Sequence, residues 1–327
     1  MAEVRRIVYA DAEPPLASLL VGERLARLEA FGTFALHEGL AADAADYDAR
    51  IAGVTALMIG WDLPLEVMRA AEKLEVISYL GTGAANFIDL DEAAARGITV
   101  CNTPGYGDNA VAEHALALLF AVARNIPLLD RTFRSKGWDQ MGAGFELRGK
   151  KLGLIGLGGI GGRMAELAGA LGMEIKAWTR DPSPARAARH GVEFVSLENL
   201  LAESDIVSLH LLLTPETENF LGAAELDRMK PEAVLVNTAR AELLDQAALV
   251  ERLRDGRIAA AGLDVFWNEP LPADHPLLEL DNVVLTPHVA YNTPEAIAAM
   301  LDIAIDNLAR YFEGSPINVV AGPRREA

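Results

Sequence analysis

The sequence predicts an α/β protein built as two doubly wound parallel-sheet domains, and three observations lead there. Strand-like apolar runs alternate with helical patterns from one end of the chain to the other, as in strands joined by crossover helices. At 327 residues the chain exceeds what one hydrophobic core ordinarily serves, so two domains are expected. The last six strand-like runs also follow one another at helix-length intervals, enough for a complete sheet of their own.

The first series of runs is 6–10, 56–60, 76–80 and 98–101, and the second is 151–156, 174–179, 206–209, 234–237, 258–263 and 283–286. Two long helical stretches punctuate them. One covers 109–124 and is rich in Ala and Leu. The other covers 294–312, opened by Thr293 as a cap with Pro294 at the first helical position. If this last helix returns to the first series, one domain is 1–103 plus 292–327 and the other, 104–291, is inserted into it.

Composition narrows the function. With 51% hydrophobic and 23% charged residues the chain is that of an ordinary globular protein. Its net charge of -18 repels nucleic-acid backbones and anionic headgroups, so neither nucleic acid nor a membrane surface is an expected partner. The same field repels small anions, so a site for one needs its own positive charge. Cys101 is the single cysteine, which excludes a disulfide or a thiolate metal cluster within one chain and suits a reducing cytoplasm. The N-terminal apolar run is broken by Asp11 and Pro14, unlike a signal peptide, and no uninterrupted apolar stretch reaches the roughly 18 residues of a membrane span.

The run GLGGIG places Gly156, Gly158 and Gly161 in GxGxxG spacing, directly after a strand and directly before a helix. Gly156 permits the tight turn, Gly158 lets backbone approach a pyrophosphate, and Gly161 lets the strand and the following helical stretch, 163–171, pack closely, with Gly159 and Ile160 in the same dinucleotide loop. A dinucleotide is therefore expected here. The next strand ends Trp178-Thr179-Arg180-Asp181, without an acid at the position that normally reads the ribose. Thr179 and Arg180 would suit the 2′-phosphate and favour NADP over NAD; Asp181 taking the ribose hydroxyls is the alternative.

Arg240, Glu269 and His288 each follow a predicted strand, at the edge where open α/β sheets place ligands. Taken singly they read as a surface charge, a turn residue and a core histidine. Taken together, the runs VNTAR, GLDVFWNEPLP and LTPHVA, with GLGGIG, resemble the family of D-isomer-specific 2-hydroxyacid dehydrogenases. The resemblance extends over nearly the whole chain, including NTPGYGDNAVAEHALALL at 102–119 and GTGAANFID at 81–89.

The resemblance implies a flavodoxin-like substrate domain, a Rossmann cofactor domain and a homodimer. It implies that Arg240 holds the carboxylate and keto oxygen of a 2-oxo acid, supplying the positive charge that the acidic field lacks. His288 would be the general acid for the carbonyl oxygen, and Glu269 would hold its other ring nitrogen and favour the protonated form. The amides of Thr82 and Gly83 would form a second carboxylate grip, Asp264 would meet the nicotinamide carboxamide, and Thr238 and Ala239 would line the ring. No metal is implied. Ala290-Tyr291-Asn292 and Gly105-Tyr106-Gly107 look like the glycerate-dehydrogenase-type members, so a small 2-oxo acid such as glyoxylate or hydroxypyruvate is the expected substrate. A dinucleotide-sensing binding protein without turnover is the alternative. His37, His190 and His275 stand in no motif and are expected to be exposed.

Overall fold

The computed structural model describes residues 4–138, 140 and 142–323. The chain divides into two compact units, Met1–Gly107 with Thr293–Ala327, and Asp108–Asn292.

In the first unit β1 (Arg6–Ala12), β2 (Thr33–Glu38), β3 (Ala56–Ile59), β4 (Val76–Tyr79) and β5 (Thr99–Cys101) run parallel. The final strand of the chain, Val319–Ala321, joins β5 antiparallel, and the order across the sheet is then final strand, β5, β4, β3, β1, β2. Because side chains alternate along each strand, the apolar runs feed two cores at once. Val8, Leu57, Ile59 and Ile77 pack on one face with Tyr47 and Met68. Ile7, Tyr9, Met58 and Val76 pack on the other, against Leu301, Ile305 and Leu308 of the helix Pro294–Phe312. Thr293 caps that helix by accepting from the Ala296 amide, and the helix is tied to this sheet by Ser78, whose hydroxyl donates to the Ala304 carbonyl at 3.0 Å.

The second unit carries β6 (Lys151–Ile155), β7 (Glu174–Trp178), β8 (Glu193–Phe194), β9 (Ile206–Leu209), β10 (Val234–Asn237), β11 (Ala260–Leu263) and β12 (Val283–Leu285). All are parallel, in the order β12-β11-β10-β9-β6-β7-β8, so the winding reverses between β6 and β9. The final strand of the first unit is accordingly β13. In register, Ile155 lies opposite Leu209, Leu209 opposite Asn237, Asn237 opposite Leu263, and Leu263 opposite Leu285. The residues that leave the sheet next, Gly156, His210, Thr238, Asp264 and Thr286, therefore emerge along one edge, which is where open sheets bind ligands.

Three strands lack a strong signal in the sequence. β2 is an edge strand whose middle residues are only half-buried, β8 has two residues, and β13 is a short antiparallel edge after the last helix. The helix Ile126–Lys136 was not anticipated either; it buries none of its residues. Among the described residues no single helix is long and apolar enough to cross a membrane. The bent pair Asp108–Ala123 and Ile126–Lys136 meets that test only by joint length and composition, and Leu118 and Leu119 of its first helix lie in the core of the second unit.

Candidate active site

The glycine loop is shaped by backbone sterics at two positions, by a movable side chain at a third and by open space at a fourth. Gly156 has φ 100°, a left-handed backbone suited to glycine, and a Cβ there would collide with the His210 carbonyl. A Cβ on Gly161 would collide with the carbonyl of Gly156, and one on Gly159 with the carboxylate of Asp108. At Gly158, the N-cap of the helix Gly159–Ala170, a Cβ would meet nothing within 4 Å. That open face, beside the unpaired amides of a helix start, is the space a pyrophosphate needs. A second observation lies two strands away: the Thr238 hydroxyl is buried and has no hydrogen-bond partner among the described residues. The residues present thus fit a dinucleotide.

Beyond β7, Thr179 is half-buried and Arg180 exposed; the Glu216 carboxyl is held below the ordinary glutamate range chiefly by the hydroxyl that Thr214 donates to it, with the charge of Arg180 a smaller cause. Next to the loop lies a cavity of about 710 Å³, lined in part by Asp108, Gly158, Ser183, Arg186, Arg189 and His190. Apart from Gly158 these residues are not among the predicted site residues: Ser183, Arg186, Arg189 and His190 lie on a segment that carries no motif, and Asp108 lies far from them in sequence. Burial raises the Asp108 carboxyl above the ordinary aspartate range.

After β10, the buried Asn237 side chain clasps the turn that presents Arg240: its Oδ1 accepts from the Ala239 amide at 2.9 Å and its Nδ2 donates to the Arg240 carbonyl at 2.8 Å. The Arg240 guanidinium donates to the Ala239 carbonyl and makes no ion pair among the described residues. After β11, Glu269 accepts from the Phe266 amide through Oε1 at 3.0 Å and meets His288 Nδ1 through Oε2 at 2.7 Å. Burial acts to raise the Glu269 carboxyl, but the bond from His288, the Phe266 amide and the charges of His288 and Arg240 outweigh it, leaving it below the ordinary range.

His288 itself has φ 52°, left-handed and unusual for a residue with a Cβ. Such a conformation costs roughly 1–2 kcal/mol. Asp264 offsets it. Its carboxylate, with no exposed surface, accepts from the Thr286 hydroxyl at 2.6 Å and from the Val289 and Ala290 amides at 3.0 and 2.9 Å. Each hydrogen bond to a charged group is worth about 1.5–3 kcal/mol, so together they exceed the strain. Burial pushes the Asp264 carboxyl up, yet the His114 imidazole 3.4 Å away and these bonds hold it below its ordinary range.

In the first unit, Thr82 and Gly83 follow β4 through Gly81, which Thr103 clasps by accepting its amide at 2.8 Å and donating to its carbonyl. Asn102 donates to the Thr82 carbonyl at 2.9 Å, while the Thr82 and Gly83 amides have no partner among the described residues. The expectation for the motif-free histidines is corrected. His275 is buried and bonded to Gln246, and His190 and His37 are half-buried; His190 Nδ1 lies 3.7 Å from the Glu166 carboxylate, and the buried Nε2 of His37 has no hydrogen-bond partner among the described residues. They pack under side chains distant in sequence, which no local pattern records. His210 is bonded to Ser208 at 2.9 Å, and burial lowers it to about 4.

Residues 116–290 match the family described as D-isomer specific 2-hydroxyacid dehydrogenase, NAD binding domain. The chain is 43% identical to the glyoxylate reductase of Korarchaeum cryptofilum over 78% of each chain. It is 42% identical to the D-3-phosphoglycerate dehydrogenase of Archaeoglobus fulgidus over 77% of its own length, and spans 48% of that longer relative. Its structure resembles that of the NADPH-dependent glyoxylate/hydroxypyruvate reductase of Sinorhizobium meliloti, solved with NADP and malonate, with a TM-score of 0.85 and 32% identity over 99% of this chain and 100% of that one.

Proposed function

Since the chain belongs to the D-isomer-specific 2-hydroxyacid dehydrogenase family, we propose that it reduces a small 2-oxo acid of the glyoxylate or hydroxypyruvate kind to the D-2-hydroxy acid, with NADPH preferred over NADH. The observation that carries this reading is the Glu269–His288 pair. With Nδ1 engaged at 2.7 Å, Nε2 is the ring nitrogen left to give a proton to the carbonyl oxygen and to take it back in the reverse direction. Bound dinucleotide supplies the hydride that adds to the carbonyl carbon. Arg240 takes the carboxylate and keto oxygen with donors that no acid among the described residues occupies, and the amides of Thr82 and Gly83, without a partner among those residues, are assigned to the carboxylate as well.

In the same reading the first unit serves the substrate and the second the dinucleotide, held at Gly156, Gly158, Gly159, Ile160 and Gly161. Thr238 and Ala239 lie toward its nicotinamide half, beside the loop that Asp264 holds. Thr179 and Arg180 are assigned to the 2′-phosphate, in keeping with the NADP found in the Sinorhizobium meliloti reductase. A homodimer is supported by the exposed apolar side chains Ile126, Phe133 and Trp138, at 53%, 57% and 83% exposure, on and just after a helix that buries none of its own residues. A cytoplasmic location accords with the single, buried Cys101.

The test is a matrix of glyoxylate, hydroxypyruvate and pyruvate against NADPH and NADH, read by loss of the reduced cofactor. Turnover with the first two and a lower KM for NADPH is expected. Dinucleotide binding without turnover on any 2-oxo acid would replace this reading with the sensing role.

A further inference from the structure

The buried contacts behind His288 extend to a residue that the reaction itself does not call for. His114 sits on the helix Asp108–Ala123, which lies so close under β11 that a Cβ on Gly262 would be only 2.9 Å from that of Leu118. Its Nε2 is 2.9 Å from the Thr286 hydroxyl oxygen and 3.4 Å from Asp264 Oδ1. Proton counting orders the chain of contacts. Thr286 has one hydroxyl proton, and the 2.6 Å contact to the Asp264 carboxylate claims it. The Thr286 oxygen is then an acceptor toward His114, so His114 Nε2 carries a hydrogen and donates.

At the other end of the chain of contacts, the amides of Val289 and Ala290 donate to the Asp264 carboxylate, and the His288 amide donates to the Asp264 carbonyl at 2.7 Å. Three consecutive N–H groups thus end on one residue. Consecutive amides can converge in this way when one residue among them is left-handed, as His288 is.

We propose that His114 is a positioning residue for His288, acting through Thr286 and Asp264 to hold the backbone of 288–290 in the one conformation that aims the imidazole. The proposal rests on His288 being the acid/base group. It assigns His114 no contact with substrate or dinucleotide. Its effect is confined to where the His288 ring stands, and a misplacement of about 1 Å in a reacting group can cost on the order of a hundredfold in rate.

The test uses the full-length protein with His114→Leu, His114→Gln, Thr286→Val and Thr286→Ser, and has two readouts. In turnover, His114→Leu and Thr286→Val should lower kcat by about tenfold or more while the KM for substrate and the Kd for dinucleotide stay within about twofold. His114→Gln, whose amide can still donate to Thr286, and Thr286→Ser should recover most of the loss. In hydrogen exchange, the amides of His288, Val289 and Ala290 should lose protection in the Leu and Val variants and regain it in the Gln and Ser variants. Unchanged protection overturns the brace whether or not the protein turns over a 2-oxo acid. A Gln variant no better than Leu in both readouts reduces His114 to packing and also overturns it. Changed protection with unchanged kcat upholds the brace as structure and overturns its role in catalysis. His288→Gln, run alongside, separates these outcomes from failure of the acid/base assignment itself, since that assignment falls only if this variant keeps its turnover.

Discussion

Alanine at two glycines of one loop should act in opposite ways. At Gly161 a Cβ would stand well under 3.0 Å from the Gly156 carbonyl, a backbone atom that cannot rotate away, so strand β6 and its helix must part. Alanine gains up to about 1 kcal/mol in helix propensity over glycine, but overpacking of this kind costs about 1–3 kcal/mol, so the collision prevails. For a unit of this size each kcal/mol moves the melting temperature by about 2–4 °C, so a fall of several degrees in the free protein is expected. At Gly158 the Cβ meets nothing within 4 Å, and the free protein should melt as the parent does. The added methyl would, however, stand where the pyrophosphate is proposed to lie, so dinucleotide affinity should fall by about tenfold or more and the melting-temperature rise on adding NADPH should shrink accordingly. Thermal melts with and without NADPH, together with titration of the dinucleotide, check both. An unchanged Kd in Gly158→Ala, or a melting temperature of the free protein lowered as far as in Gly161→Ala, would refute the assignment of the open face to the dinucleotide.

Replacing His288 by Gln should lower the reduction rate by about a hundredfold or more with dinucleotide affinity nearly intact, and steady-state kinetics with parallel titrations would expose a retained rate that removes it from the acid role. Arg180→Ala should weaken NADPH more than NADH; equal weakening would remove Arg180 from the phosphate site. Asp11 is buried at the end of β1, where burial raises its carboxyl from 3.8 to about 6 despite the amides of Gly60 and Trp61 that donate to it. The folded state therefore binds a proton at Asp11 that the unfolded state has released between about pH 4 and pH 6, so the contribution of Asp11 to stability falls as pH rises through that window, by up to about 3 kcal/mol, while His210, lowered to about 4, contributes in the opposite sense. Asp11→Asn removes the first contribution and leaves the second, so in denaturant melts taken from pH 4.5 to 7.5 the variant's stability should rise more steeply with pH than the parent's, and an equal slope would count against a protonated Asp11.

The sequence by itself determined the class of fold, the glycine turn and the three polar residues that follow β10, β11 and β12. These are legible because their signals are local: apolar runs bounded by turns, a fixed glycine spacing between a strand and a helix, and a polar residue just past each run. Parallel register then carried Gly156, Thr238, Asp264 and Thr286 to one edge without further information, since aligned strands of similar length deliver their ends together. Only the tertiary structure decided what touches what across the chain. Asp108 lies against Gly159, Asn237 clasps the turn of Arg240, His275 is buried on Gln246, and His114 reaches Thr286 across 172 positions. Contacts of this kind depend on how helices settle against a finished sheet. A single chain read by period and spacing holds no record of that packing, which is why the residues proposed to react stand out in the sequence and the groups packed around them do not.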